Sequence, residues 1–219
     1  MIIKVRAIHA EEKEVRHHAI LDAAERLLIA HRQRIANVDE VAAEAGLAKG
    51  TVYLYFPSKE ELLLALHDRN SERFFTSLLE LLTAGAPVTF DRLFQVVRRD
   101  MVDAPGFLPL AALCFGLMEK SVPIDAAAAH KLRTAERLQT AGTCLERQFP
   151  QLAEGQGVAL LIHSYALIIG LWQMLHPSPV NKALADAANF AILHRDYTAE
   201  LEGGLRALWD GHLSGATPL

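Results

Sequence analysis

Between Ala36 and Glu61 this chain has to start and stop a helix twice and then start a third. No other stretch limits its fold so tightly. Asn37 and Glu40 stand at capping-box spacing, with Asn as the acceptor. Val38, Val41, Ala42 and Ala45 share one helical face. Gly46 stands where a left-handed residue ends a helix, and Leu47 is placed to pack back beneath the turn. Lys49 to Tyr55 reads as a second helix of about two turns, too short to survive alone. Val52 and Phe56 anchor it, leaving Thr51, Tyr53 and Tyr55 for other duties. Pro57 stops it, and Ser58 with Glu61 makes a second capping box. The spacing predicts a helix-turn-helix with its supporting helix, a shape that sets one helix end into the major groove of duplex DNA.

The rest of the chain reads as all-α. It has 219 residues, 51% of them hydrophobic, enough for a sizeable core and incompatible with disorder. Gly and Pro fall between long helical runs, and no alternating strand pattern recurs. The first helix is expected over Glu14–Ala30, with Ile20, Ala23, Ala24, Leu27 and Leu28 inward, and Met1 to Lys13 as a partly ordered arm. Lys59 to Thr83 is a long helix with Leu62, Leu63, Leu66, Phe74, Leu78 and Leu82 inward, spanning ~35 Å at 1.5 Å per residue. Further helices are expected over 90–102, 108–119, 124–149 and 153–176, then a connector over 181–193. A final helix is capped by Asp196, with Leu201, Leu205, Leu208 and Trp209 on one stripe. Gly203 and Gly204 lie inside it, each at about 1 kcal/mol relative to Ala, which points to close helix approach or a kink.

The net charge is −4, and residues 1 to 70 hold 10 Lys plus Arg against 11 Asp plus Glu. A phosphate-facing side must then be basic by arrangement, with the acids turned away. The opposing reading is a helix-turn-helix that does not bind DNA. Cys114 and Cys144 have no metal spacing and read as two buried, reduced thiols, with a redox pair as the alternative. The ten histidines form no His-Glu-x-x-His pattern. No metal, cofactor or catalytic constellation is expected, and so no enzyme. The first 30 residues lack the apolar core of a signal peptide. Val158 to Leu175 carries no formal charge over eighteen residues. That meets the lower length for a membrane span but equally suits a helix buried in protein; no membrane association and a cytoplasmic location are expected.

The run Val-Ala-Ala-Glu-Ala-Gly-Leu-Ala-Lys-Gly-Thr-Val-Tyr-Leu-Tyr-Phe, followed by Ser-Lys-Glu-Glu-Leu, resembles the DNA-binding segment of the tetracycline-repressor (TetR) family of transcriptional regulators. The likeness covers roughly residues 16 to 66. The chain departs from the family at Ala48, usually Ser or Thr, and at His31 to Ile35, where the family's loop usually has Gly. The resemblance implies phosphate contacts from Tyr53 and Lys59. It implies that Lys49, Gly50, Thr51 and Tyr55 face base edges or the flanking backbone, with Asn37 at the head of the preceding helix. It also implies a DNA-reading domain over 1–57 and a helical domain over 58–219 that dimerises and holds a small, apolar effector. Pocket candidates there are Phe107, Cys114, Met118, Arg133, His163, Tyr165, Trp172 and Phe190, any of which is also ordinary core. The excess apolar surface of the last two long helices and the paired glycines predict a homodimer interface through Leu161, Ile168, Leu171, Leu201, Leu205 and Leu208. The expected function is a transcriptional regulator, a ligand-released repressor on palindromic operator DNA. The rival is a helical-bundle binding or enzyme-like protein whose helix-turn-helix is only an interaction module.

Overall fold

In the computed structural model, residues 2–30, 36–176 and 194–214 are described, with side chains for all of these except 2–11, 115 and 117–119. The described residues form helices and no strand. They are α1 (Ile2–Ala30), α2 (Val38–Glu44), α3 (Lys49–Tyr55), α4 (Lys59–Thr83), α5 (Phe90–Val97), α6 (Phe107–Lys120), α7 (Ile124–Gln148), α8 (Gln156–Leu175) and α9 (Tyr197–Leu213). The chain divides into two compact units. One is Met1–Asn70 with Pro105–Ala128, the other Ser71–Ala104 with Ala129–Leu219.

The first unit is built on α1 to α3 and the first half of α4. Ile20, Leu21, Ala24 and Leu28 of α1 meet Val38 and Val41 of α2, Val52 and Phe56 at α3, and Leu62 to Leu66 of α4; Leu110 and Cys114 of α6 complete the core. Arg69 of α4 ties α1 down: its guanidinium donates to Asp22 at 2.6 Å, Glu25 at 2.8 Å and the Leu21 carbonyl at 3.1 Å.

The second unit holds α5, α8, α9 and most of α7. Trp209 Nε1 donates to Ser164 Oγ at 3.0 Å and Tyr197 Oη to the Ile168 carbonyl at 3.2 Å, so α8 and α9 run antiparallel. Gly204 accounts for part of their closeness, since a β-carbon there would meet Leu167 at 3.0 Å, whereas Gly203 faces open space. Helices α7 and α8 approach more closely still. A β-carbon on Gly157 would overlap the Gly142 carbonyl oxygen, and Glu146 Oε1 accepts from the Gly157 amide at 3.0 Å.

Three expectations change. The arm over Met1 to Lys13 is helical from Ile2, because nothing in the first 30 residues breaks a helix and Glu12–Arg16 and Glu14–His18 pair at i,i+4. The helix over 90–102 is α-helical only to Val97. Its last turn, Arg98–Val102, widens to a π-helix, closed by the Asp103 amide on the Arg98 carbonyl at 2.7 Å. Cys144 is only partly buried, unlike Cys114. The expected connector over 181–193 lies outside the described residues.

Candidate nucleic-acid interface

The helix-turn-helix forms by the local chemistry its sequence predicts. Asn37 Oδ1 accepts from the Glu40 amide at 2.9 Å, and the Glu40 carboxylate accepts from the Asn37 amide at 2.8 Å. Gly46 has φ +69°. The Gly46 amide then donates to the Ala43 carbonyl at 3.1 Å and the Leu47 amide to the Ala42 carbonyl at 2.9 Å, satisfying two of the orphan carbonyls at the end of α2. Ala48 begins α3 with extended backbone and no side-chain cap. Phe56 ends it, extended as a residue before proline must be. At Ser58 half of the expected capping box forms: Ser58 Oγ accepts from the Glu61 amide at 3.1 Å, but the Glu61 carboxylate bonds the Ser58 hydroxyl, at 3.2 Å, instead of its amide.

This places the predicted residues around α3. Val52 and Phe56 are buried. Lys49 and Gly50 are exposed, Thr51 and Lys59 half-buried, and Tyr55 packs partly on the core. Tyr53 is 41% exposed. Leu54 is 82% exposed; the sequence reading passed over it, although its position two residues past Val52 already puts it on the opposite side of the helix. Asn37 is exposed, with its side-chain oxygen engaged in the cap.

The acids of this unit are largely occupied by its own groups. Glu44 accepts from Arg26 at 2.6 Å, Asp22 and Glu25 hold Arg69, and Glu40 serves the α2 cap. Asp39 takes Lys49 at 2.9 Å. Its hydrogen bond and negative charge raise Lys49 above the ordinary lysine range. Behind α3, the His17 ring lies 4.8 Å from that of Phe56. Burial pushes this imidazole below its usual range; Glu14 opposes the shift, and His18, Arg69 and Lys13 reinforce it.

The described members of the expected pocket set fall in both compact units. Phe107 and Cys114 are buried in the first unit, Phe107 against His67 with ring centroids 5.9 Å apart. Arg133 and His163 stand exposed on the second unit, where Tyr165 is half-buried and Trp172 stacks on His176 at 4.3 Å. The Met118 side chain and Phe190 lie outside the described residues. The residues of the expected interface stripe differ in burial within the single chain. Leu161, Ile168, Leu201 and Leu205 fill their own chain's core because α8 and α9 pack through that face, and only Leu171 and Leu208 are half-buried. The outward apolar positions on α8 are Ile162 (49% exposed) and Met174 (63% exposed).

These features define a helix-turn-helix protein carrying an appended helical unit. Residues 20–66 match the family model of bacterial regulatory proteins, tetR family, and residues 68–216 match that of the tetracyclin repressor-like C-terminal domain. The chain belongs to the TetR family of bacterial regulatory proteins. It is 47% identical over 53 residues to the HTH-type transcriptional regulator EthR of Mycolicibacterium smegmatis, a match covering 24% of each chain. It is 31% identical over 70 residues to the fatty acid metabolism regulator protein of Bacillus subtilis, covering 32% of this chain and 36% of that one. The match thus spans about a quarter to a third of these curated relatives. Over the whole fold it is similar to the fatty acid degradation regulator FadR from Bacillus halodurans (TM-score 0.58, 18% identity, 93% and 97% of the two chains). It is likewise similar to PfmR from Thermus thermophilus (TM-score 0.54, 17% identity, 91% and 99%).

Proposed function

We propose that this protein is a sequence-specific, DNA-binding transcriptional regulator, and no enzyme: a cytoplasmic repressor that acts as a homodimer on a palindromic operator and is released by a small apolar effector. The observation that carries this reading is the outer face of α3, where Gly50, Tyr53 and Leu54 are exposed while Val52 and Phe56 bury the opposite side. A short helix held this way by a preceding helix and turn fits a major groove. Lys59 opens the long α4, where backbone amides and the helix dipole favour a phosphate, and Tyr53, 41% exposed on α3, supplies the second phosphate contact. Lys49, Gly50, Thr51 and Tyr55 contact base edges or the neighbouring backbone, with Asn37 at the head of α2.

Residues 1–57 are the reading domain and 58–219 the assembly and effector domain. A second copy is the partner of α8, whose apolar eighteen-residue window is only 28% buried within the chain. Two heads on a two-fold axis reach successive major grooves roughly 34–36 Å apart. Helix α4 runs continuously from the first compact unit into the second. An effector that favours the dimer with wrongly spaced heads lowers operator affinity by a population shift.

The test is a mobility shift with the organism's own upstream DNA, repeated over a salt series with Lys59→Ala. The expected result is a saturable shift resisting competitor DNA. The variant should weaken binding to all sequences alike and lower the salt slope by about one. No shift from a folded protein refutes the reading.

A further inference from the structure

We infer that Leu54 is a specificity-determining residue that reads the C5-methyl group of a thymine in each half-site, an inference that rests on the DNA-binding function proposed above. At about 100° per residue, Gly50 and Leu54 lie within roughly 40° of each other and point opposite to the midpoint of Val52 and Phe56. Both members of that inner pair are buried, Val52 at 0% and Phe56 at 4% exposed. Gly50 and Leu54 are therefore the centre of the outward face, with Thr51 and Tyr53 on its flanks.

Neither central residue has a polar side-chain atom. Whatever the middle of α3 meets in a groove, it cannot be read there by a side-chain hydrogen bond. Gly50 has nothing within 4 Å of where a β-carbon would stand, so the helix backbone can come close to the base edges. Leu54 lies one turn further along the same face and leans back over that open place, as long helical side chains do. At 82% exposure it leaves most of its apolar surface in water, on a seven-residue helix whose other outward side chains are polar. In the major groove the apolar mark that distinguishes one base from the others is the thymine methyl. Burying that methyl against Leu54 removes apolar surface of both from water. The expected contribution is about fourfold in affinity per methyl.

The experiment uses the full-length protein and the tightest duplex recovered from a random-sequence pool. Each thymine of the half-site is replaced in turn by uracil, which lacks only the methyl, and Kd is measured for the unmodified protein and for Leu54→Ala. That substitution is at an exposed helical position and keeps the fold. One thymine should cost the unmodified protein about fourfold when changed to uracil and cost Leu54→Ala nothing. If no uracil weakens binding, or if the loss is equal in both proteins, the assignment to Leu54 is overturned while the regulator reading stands. A protein that selects no duplex from the pool overturns both.

Discussion

Lys49 and Asp39 form a salt bridge, Nζ to Oδ2 at 2.9 Å, between the start of α3 and the first turn of α2. Both side chains are more than half exposed, at 52% and 62%, so the pair adds little to stability. Its consequence lies at the reading face, where a carboxylate stands beside a cation proposed to meet DNA. Asp39→Asn should tighten binding to every duplex, by roughly two- to fivefold at low salt and less as salt rises. Lys49→Ala should alter which sequences are preferred. An unchanged Kd for Asp39→Asn at low salt would place this pair away from the DNA.

Gly50 separates folding from reading. Its site for a β-carbon is open in the free protein, so Gly50→Ala should raise stability by about 0.5–1 kcal/mol through helix propensity. The same β-carbon would stand where the helix approaches base edges and should weaken specific binding. Thermal unfolding and operator titration on one preparation check both signs. A variant that is more stable and binds as well as the original would remove Gly50 from the interface.

Assembly gives a contrast between a buried position on α9 and an exposed one on α8. Leu205 is 2% exposed within its own chain, so Leu205→Glu should unfold the protein by burying an unpaired charge. Met174 is 63% exposed on α8. Met174→Asp should leave a folded chain whose native mass is that of a monomer. A monomeric unmodified protein, or a Met174→Asp dimer as tight as the original, would contradict pairing through this face.

What the sequence made legible follows from how sharply each signal was punctuated. Asn37, Gly46, Pro57 and Asp196 each fix a backbone group or a dihedral angle. The helices they bound, α2, α3 and α9, begin or end where the residues predict. The outward side of α3 is legible too, because one buried pair a single turn apart, Val52 and Phe56, settles it and puts Leu54 opposite. The inner face of α8 was not: apolar side chains surround that helix, and its periodicity cannot tell Leu161 and Ile168, which turn inward, from Ile162 and Met174, which do not. The Gly142–Gly157 approach joins residues on two different helices, and no local pattern records it. The π turn at Arg98–Val102 likewise carries no composition signal. The eight proposed pocket residues came from the family resemblance, and spacing alone had no means of grouping them.

The thiols should differ in reactivity. Burial pushes the Cys114 thiol from 9.0 up to about 12, and its Sγ lies 3.9 Å from the Leu63 carbonyl. At pH 8 a thiol reagent should modify Cys144 in the folded protein and Cys114 only on unfolding. Because the folded-state value is raised, this group's stabilising contribution is complete below pH 9. It is lost as pH rises from about 9 to about 12, by roughly 1.4 kcal/mol per unit at most. Equal reactivity of both thiols at pH 8 would show that the core around α6 opens readily.

Two copies of α3 are proposed to read duplex DNA about a two-fold axis. Selection of binding sites from a random-sequence pool by the full-length protein tests it most directly. The expected outcome is a consensus that reads alike on both strands, with half-site centres about one helical turn or a multiple of it apart, bound at least ~10³-fold more tightly than scrambled duplex. A pool that shows no enrichment, or a consensus without two-fold symmetry, would contradict it.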